Sequence, residues 1–194
     1  DLFALYFMMD PKMQEIGLIP SDEPAKAEYD NYMRNGFMTQ TARILPGKDI
    51  EQAHMRCRSA IAHWVYEKGK PDNVIEVVKR DEKTYVRIND YQKLRGLFGE
   101  MLKEVQRIKS EGDFSAGKSM IETYGVRIDQ PLHGEILARY AKLNLAPYSG
   151  FVNPVMTPVT DRDGKITDVK IEYCTDYLGQ MMEYGKNYSF LPAR

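Results

Sequence analysis

The stretch Ile50-Glu-Gln-Ala-His-Met-Arg-Cys-Arg-Ser-Ala-Ile-Ala-His-Trp64 decides how the rest of the chain is read. Ile50, Ala53, Cys57, Ile61, Trp64 and Val65 recur at three- and four-residue steps, the period of a helix with one apolar face. Asp49 is placed to cap this helix, and Gly69 to stop it after Lys68. His54 and Arg58 are four residues apart, so they stand one turn above each other at the border of the apolar stripe. A titratable ring beside a permanent cation has the chemistry to hold an anionic intermediate, a carboxylate or a peptide carbonyl. A solvated helix surface shows the same pair, so the pattern by itself leaves both readings open.

Upstream, Leu2–Asp10 is apolar nearly all round and reads as a helix needing cover on several sides. It starts at full hydrophobic strength, which reads as a segment cut from a longer protein. The other reading makes Asp1 a genuine N-cap. Pro11 starts a further turn, and Gly17 and Pro20 punctuate it. A helix is expected over about 24–44, with Ala27, Tyr29, Tyr32, Met33, Phe37 and Ile44 among its apolar positions. Gly36 inside it points to a close approach of a neighbouring helix.

Downstream, Val74–Val78 and Thr84–Ile88 flank a polar turn and read as a small hairpin. Asp90 is placed to cap a helix over Tyr91–Ser110, and Asp113 a shorter one that Gly125 stops. Leu132–Leu145 is helical in pattern, and Pro147 and Gly150 close this part. A second hairpin follows, from Phe151–Thr160 and Lys165–Tyr173 around Asp161-Arg-Asp-Gly164, then a short helix over Asp176–Tyr184. The expected fold class is mainly α with two small β-hairpins. The expected division is 1–148, helical around His54, and 149–194, a strand–turn–strand–helix segment.

With 194 residues the chain is long enough for a real core. A formal net charge of −1, without a basic block, argues against a nucleic-acid partner. No apolar run has membrane-spanning length, so no membrane partner is expected. Cys57 and Cys174 form neither a metal spacing nor a disulfide framework, which favours a reducing, cytoplasmic setting.

The remaining chemistries are tested by spacing. His54, His63 and His133 form no His-Glu-x-x-His motif, so no complete zinc site is expected within this chain. His63 reads as a partly exposed or hydrogen-bonded structural histidine, and His133 as a local capping or solvent-facing one. Cys57 lies three residues from His54 but on the apolar stripe, so it reads as packing. Gly112–Ser119 lacks the spacing and preceding strand of a phosphate loop, and Asp161–Gly164 reads as a hairpin turn rather than a calcium loop.

Four stretches, taken together, resemble one family. Gln52-Ala-His-Met-Arg-Cys-Arg58 is similar to the Gln-Ala-His-Met-x-x-Arg helix of the dipeptidyl-peptidase III family of zinc exopeptidases. Asp1-Leu-Phe-Ala-Leu-Tyr6 resembles the residues after that family's Glu-Glu-x-x-Ala-Asp/Glu motif. Tyr32-Met-Arg-Asn-Gly36 and Lys109-Ser-Glu-Gly-Asp113 fit in the same order. The likeness spans most of the chain to about Leu145 and weakens beyond it.

The resemblance implies the helical catalytic lobe of a two-lobed zinc peptidase, here of a bacterial member. It releases N-terminal dipeptides from short peptides. The zinc ligands and the general-base Glu are expected upstream of this chain, so the partners are short peptides and the remainder of the same polypeptide. Zinc is the cofactor of the full-length protein, and none is expected on this fragment, which alone is expected to be inactive. His54 corresponds to the family's active-site histidine, Arg58 to a substrate or site anchor, and Asp1 to the acid that orients a zinc-bound histidine. Both catalytic assignments require the His54 helix to face the zinc helix across a cleft. A different class of reading makes the chain a non-catalytic helical module that binds a peptide or protein on its Tyr- and Met-rich surface. A third makes it a relative that has lost zinc and only binds peptides.

Overall fold

The computed structural model describes residues 1–144 and 152–190. They fall into two units, Asp1–Asn144 and Leu145–Arg194. Among the described residues there are eight α-helices and two antiparallel two-stranded sheets, so the fold is mainly α with two small hairpins. The expected boundary at 148/149 and the breaks at Pro147 and Gly150 lie outside the described residues, as do Leu145 and Phe151.

In the first unit, α1 (Leu2–Met8) and α2 (Pro11–Glu15) lead into α3 (Glu23–Phe37). A 3-10 turn, Thr39–Arg43, separates α3 from α4 (Ala53–Gly69). Hairpin β1 (Ile75–Arg80) and β2 (Lys83–Ile88) follows, then α5 (Tyr91–Glu111), α6 (Phe114–Tyr124) and α7 (Gln130–Leu143). Helix α4 packs against α3, α5 and α6, and α1 lies on α5. The core joins Leu5, Tyr29, Met33, Ile61, Val65, Leu94, Phe98 and Met101. Tyr29 meets Phe98 edge-on at 5.1 Å between ring centres, and its hydroxyl donates to the Leu5 carbonyl.

Local chemistry explains most of the boundaries. Asp90, Asp113 and Asp129 each accept a backbone N–H within the next three residues, which satisfies one of the open donors at the starts of α5, α6 and α7. Gly112 ends α5 in the left-handed region, at φ 66°. The first hairpin turns on Asp81 and Glu82, both at positive φ, which matches the twist of the two strands.

Three expectations are corrected. Helix α3 ends at Phe37 rather than near Ile44, because Met38 leaves helical geometry and the chain tightens into the 3-10 turn. Asp49 does not cap α4. Gln52 is its N-cap residue, without a side-chain bond, because the segment before it is held otherwise. Ile50 is buried there, donating its N–H to the Val126 carbonyl (2.9 Å) and accepting from Arg56 Nε (2.6 Å). Helix α1 is covered along one side only: Leu2 and Leu5 are buried, while Phe3 is 67% exposed.

In the second unit, β3 (Pro154–Thr160) pairs antiparallel with β4 (Ile166–Tyr173) from Pro154↔Tyr173 to Thr160↔Ile166, with a slip at Val159/Thr160. The turn is fixed by Asp161, whose carboxylate accepts the N–H of Asp163 and Lys165. Helix α8 (Tyr177–Tyr188) is tied to the strand start by Gln180, which exchanges two 2.8 Å hydrogen bonds with the Asn153 backbone. It runs four residues beyond the expected end at Tyr184.

Candidate functional site

The site is built where α3 and α4 come closest. A Cβ added at Gly36 would sit 2.5 Å from the Ala62 Cβ and 3.0 Å from the Arg58 carbonyl oxygen. Only a residue without a side chain lets the two backbones approach this far. The approach brings the end of α3 and the following 3-10 turn against the first turns of α4.

His54 lies in the first turn of α4 and is exposed. Arg58, one turn on, is half-buried, and its Nη1 donates to Gln40 Oε1 at 3.4 Å. Gln40 is buried in the 3-10 turn, and its Nε2 donates to the carbonyls of Gly36 and Met55, both at 3.2 Å. On the other side, the Tyr32 hydroxyl donates to Asp1 Oδ2 at 3.0 Å. Burial pushes the Tyr32 phenol well above its ordinary range, Cys57 adds to the shift, and the nearby Arg58 cation opposes it. Tyr32 therefore remains a neutral donor to the Asp1 carboxylate. Two polar pairs thus flank the start of α4: Tyr32 with Asp1, and Gln40 of the 3-10 turn with Arg58.

The structure differs from the sequence reading at two other positions. Cys57 is exposed, not packed. It sits near the beginning of the stripe, before the buried stretch that starts at Ser59. His133 faces neither solvent nor a cap: it is 1% exposed, and its Nε2 lies 3.0 Å from the Thr41 carbonyl. Helix α7 thereby holds the 3-10 turn that carries Gln40. His63 is structural, its Nδ1 2.9 Å from the Ser59 carbonyl, and desolvation holds its pKa below the ordinary value. Ser59 in turn donates to the Tyr124 carbonyl, tying α4 to α6.

Spacing gave no sign of Tyr32 or Gln40. Tyr32 reads as an apolar-face residue, and Gln40 as one polar position of an expected helix. Their partners lie 31 and 18 residues away in sequence.

Among the described residues no group of three or more His, Cys, Asp or Glu side chains is placed to hold a metal ion. The described residues therefore do not themselves build a zinc site. Among the described residues no helix is long and apolar enough to cross a membrane. A groove of about 600 Å3 lies between α1 and α5 and is lined by Phe3, Tyr6, Gly99 and Lys103, none of them in these polar pairs. Among the described residues, the site offers an exposed imidazole, a guanidinium with donors beyond its bond to Gln40, and a carboxylate held by a phenol.

The family model described as Peptidase family M49 matches residues 1–136. No curated protein matches the chain.

Proposed function

The chain belongs to peptidase family M49, the dipeptidyl-peptidase III family, and from that premise we propose that it forms part of a zinc-dependent enzyme releasing N-terminal dipeptides from short peptides. The observation that carries this reading is the open first turn of α4, where His54 is exposed beside an Arg58 already held by Gln40, within the matched residues. Zinc, when bound by residues outside this chain, supplies the Lewis acid for hydrolysis. The work of this chain is to meet the substrate from the opposite side.

In this reading His54 donates a hydrogen bond to the oxygen that gains charge as the peptide bond is attacked. Such a donor acts strongly only where water is excluded and the donor is aimed in advance. Arg58 anchors the peptide. Its fork offers two parallel donors to a carboxylate, or one to a carbonyl, while a further N–H stays on Gln40. Asp1 holds a partner imidazole through the carboxylate oxygen that Tyr32 does not occupy. Both cysteines are free thiols, which supports a cytoplasmic setting. The partners are short peptides and the remainder of the same polypeptide.

The test uses the full-length protein with zinc. His54→Ala should lower kcat on a short peptide by roughly a hundredfold or more, the loss typical of one oxyanion donor. Its melting temperature should stay near that of the parent, since the ring is exposed. Normal turnover in that variant would remove His54 from the mechanism and leave α4 with a binding or structural role.

A further inference from the structure

Gln40 sets the direction in which Arg58 points. A buried amide is costly unless its hydrogen-bonding atoms are partnered. Gln40 is 6% exposed, and Nε2 gives both of its hydrogens to main-chain carbonyls, of Gly36 on α3 and of Met55 on α4. This fixes the amide's orientation. Turned over, it would place Oε1 against two carbonyl oxygens, with no donor between them. Oε1 is therefore obliged to face the remaining direction, where Arg58 Nη1 lies 3.4 Å away. The geometry depends on Gly36, because no side chain of this length could bond across both helices if a Cβ there forced α3 from α4. His133 and Thr41 fix the 3-10 turn from behind.

We propose that Gln40 is a positioning residue for Arg58: it takes up one guanidinium N–H and so presents the others along the open edge of α4 beside His54. An arginine carries much rotamer freedom, and a long side chain fixed before the substrate arrives does not lose that freedom on binding. The inference rests on the substrate-anchoring role given to Arg58 above.

The experiment is a double-mutant cycle in the full-length zinc protein, with kcat and KM measured on one short peptide. Gln40→Met keeps the length of the side chain and removes its polar atoms. It is expected to lower kcat/KM about tenfold, in whichever of KM or kcat Arg58→Ala changes, and by less than Arg58→Ala does. The double variant is expected to match Arg58→Ala alone, because an unanchored alanine leaves nothing to position. A structural role would instead multiply the two losses. If Gln40→Met does not fold, Gln40→Glu is measured in its place as a single variant. That variant keeps an acceptor for Arg58 while giving up both donations to carbonyls, so its expected loss is under threefold, with a lower melting temperature. Multiplied losses in the cycle, an unchanged Gln40→Met, or a Gln40→Glu whose activity falls as its stability does would overturn the inference and leave the role of Arg58 intact. A silent Arg58→Ala would overturn both.

Discussion

The two halves of α4 share one helical repeat and have opposite fates. Cys57 and Ile61 lie one turn apart on the same stripe, yet Cys57 is exposed and Ile61 is 2% exposed. From Ser59 onward the helix is enclosed by α3, α5 and α6, with Ala60, Ile61, Ala62, Trp64 and Val65 buried. Before Ser59 it carries Ala53, His54 and Cys57 on an open surface. The buried half holds the helix in place and the open half presents the side chains that can act. An apolar period shows which residues share a face, but it does not show where along the face the neighbouring elements end.

The two hairpins repeat the lesson. In the first, Ile75, Thr84 and Ile88 are buried, and Thr84 is clamped from α7: Glu135 accepts both its N–H and its hydroxyl at 2.7 Å, and Arg139 donates to its carbonyl at 2.8 Å. In the second, every residue of both strands is exposed among the described residues. Both have strand patterning, and within its own unit, among the described residues, only the first is clamped by a helix.

The sharpest test of the comparison is Ile61→Ala. Loss of a buried branched side chain plus the cavity it leaves should cost about 2–5 kcal/mol in unfolding free energy, read from denaturant titration. Gly36→Ala comes next. A methyl group 2.5 Å from the Ala62 Cβ has no room, so α3 and α4 must separate, at about 1–3 kcal/mol of overpacking strain. Because the same shift draws Gln40 away from Arg58, activity should fall more than a melting curve alone predicts. The smallest effect is expected for Cys57→Ala, within about 0.5 kcal/mol, as for surface changes generally. If Cys57→Ala proved as costly as Ile61→Ala, the two halves of α4 would not differ in the folded protein, and the open edge would not be a site.

Much of the fold was legible because its causes are local. Asp90 and Asp113 act on N–H groups within three residues, and the Asp161 turn closes on itself. The close approach at Gly36 was legible too, since a glycine inside an amphipathic helix has few other uses. The site was legible only in part. His54 and Arg58 stood out by spacing and by resemblance, whereas Tyr32 and Gln40 did not, and His133 and Cys57 were read the wrong way round. Burial of those four depends on what packs over them, and nothing within a few residues carries that information.

The sequence by itself determined which helices and hairpins form, several of their caps and turns, the family, and the pair at the border of the α4 stripe. All of these follow from the period of the chain, from side chains that bond to their own backbone, and from residue types in a fixed order. Only the tertiary structure decided which half of α4 is open, that Tyr32 bonds Asp1, and that Gln40 bonds Arg58. Those contacts join residues 18 to 31 positions apart, and the Gln40 contacts exist because Gly36 lets two backbones come close enough for one buried amide to reach both.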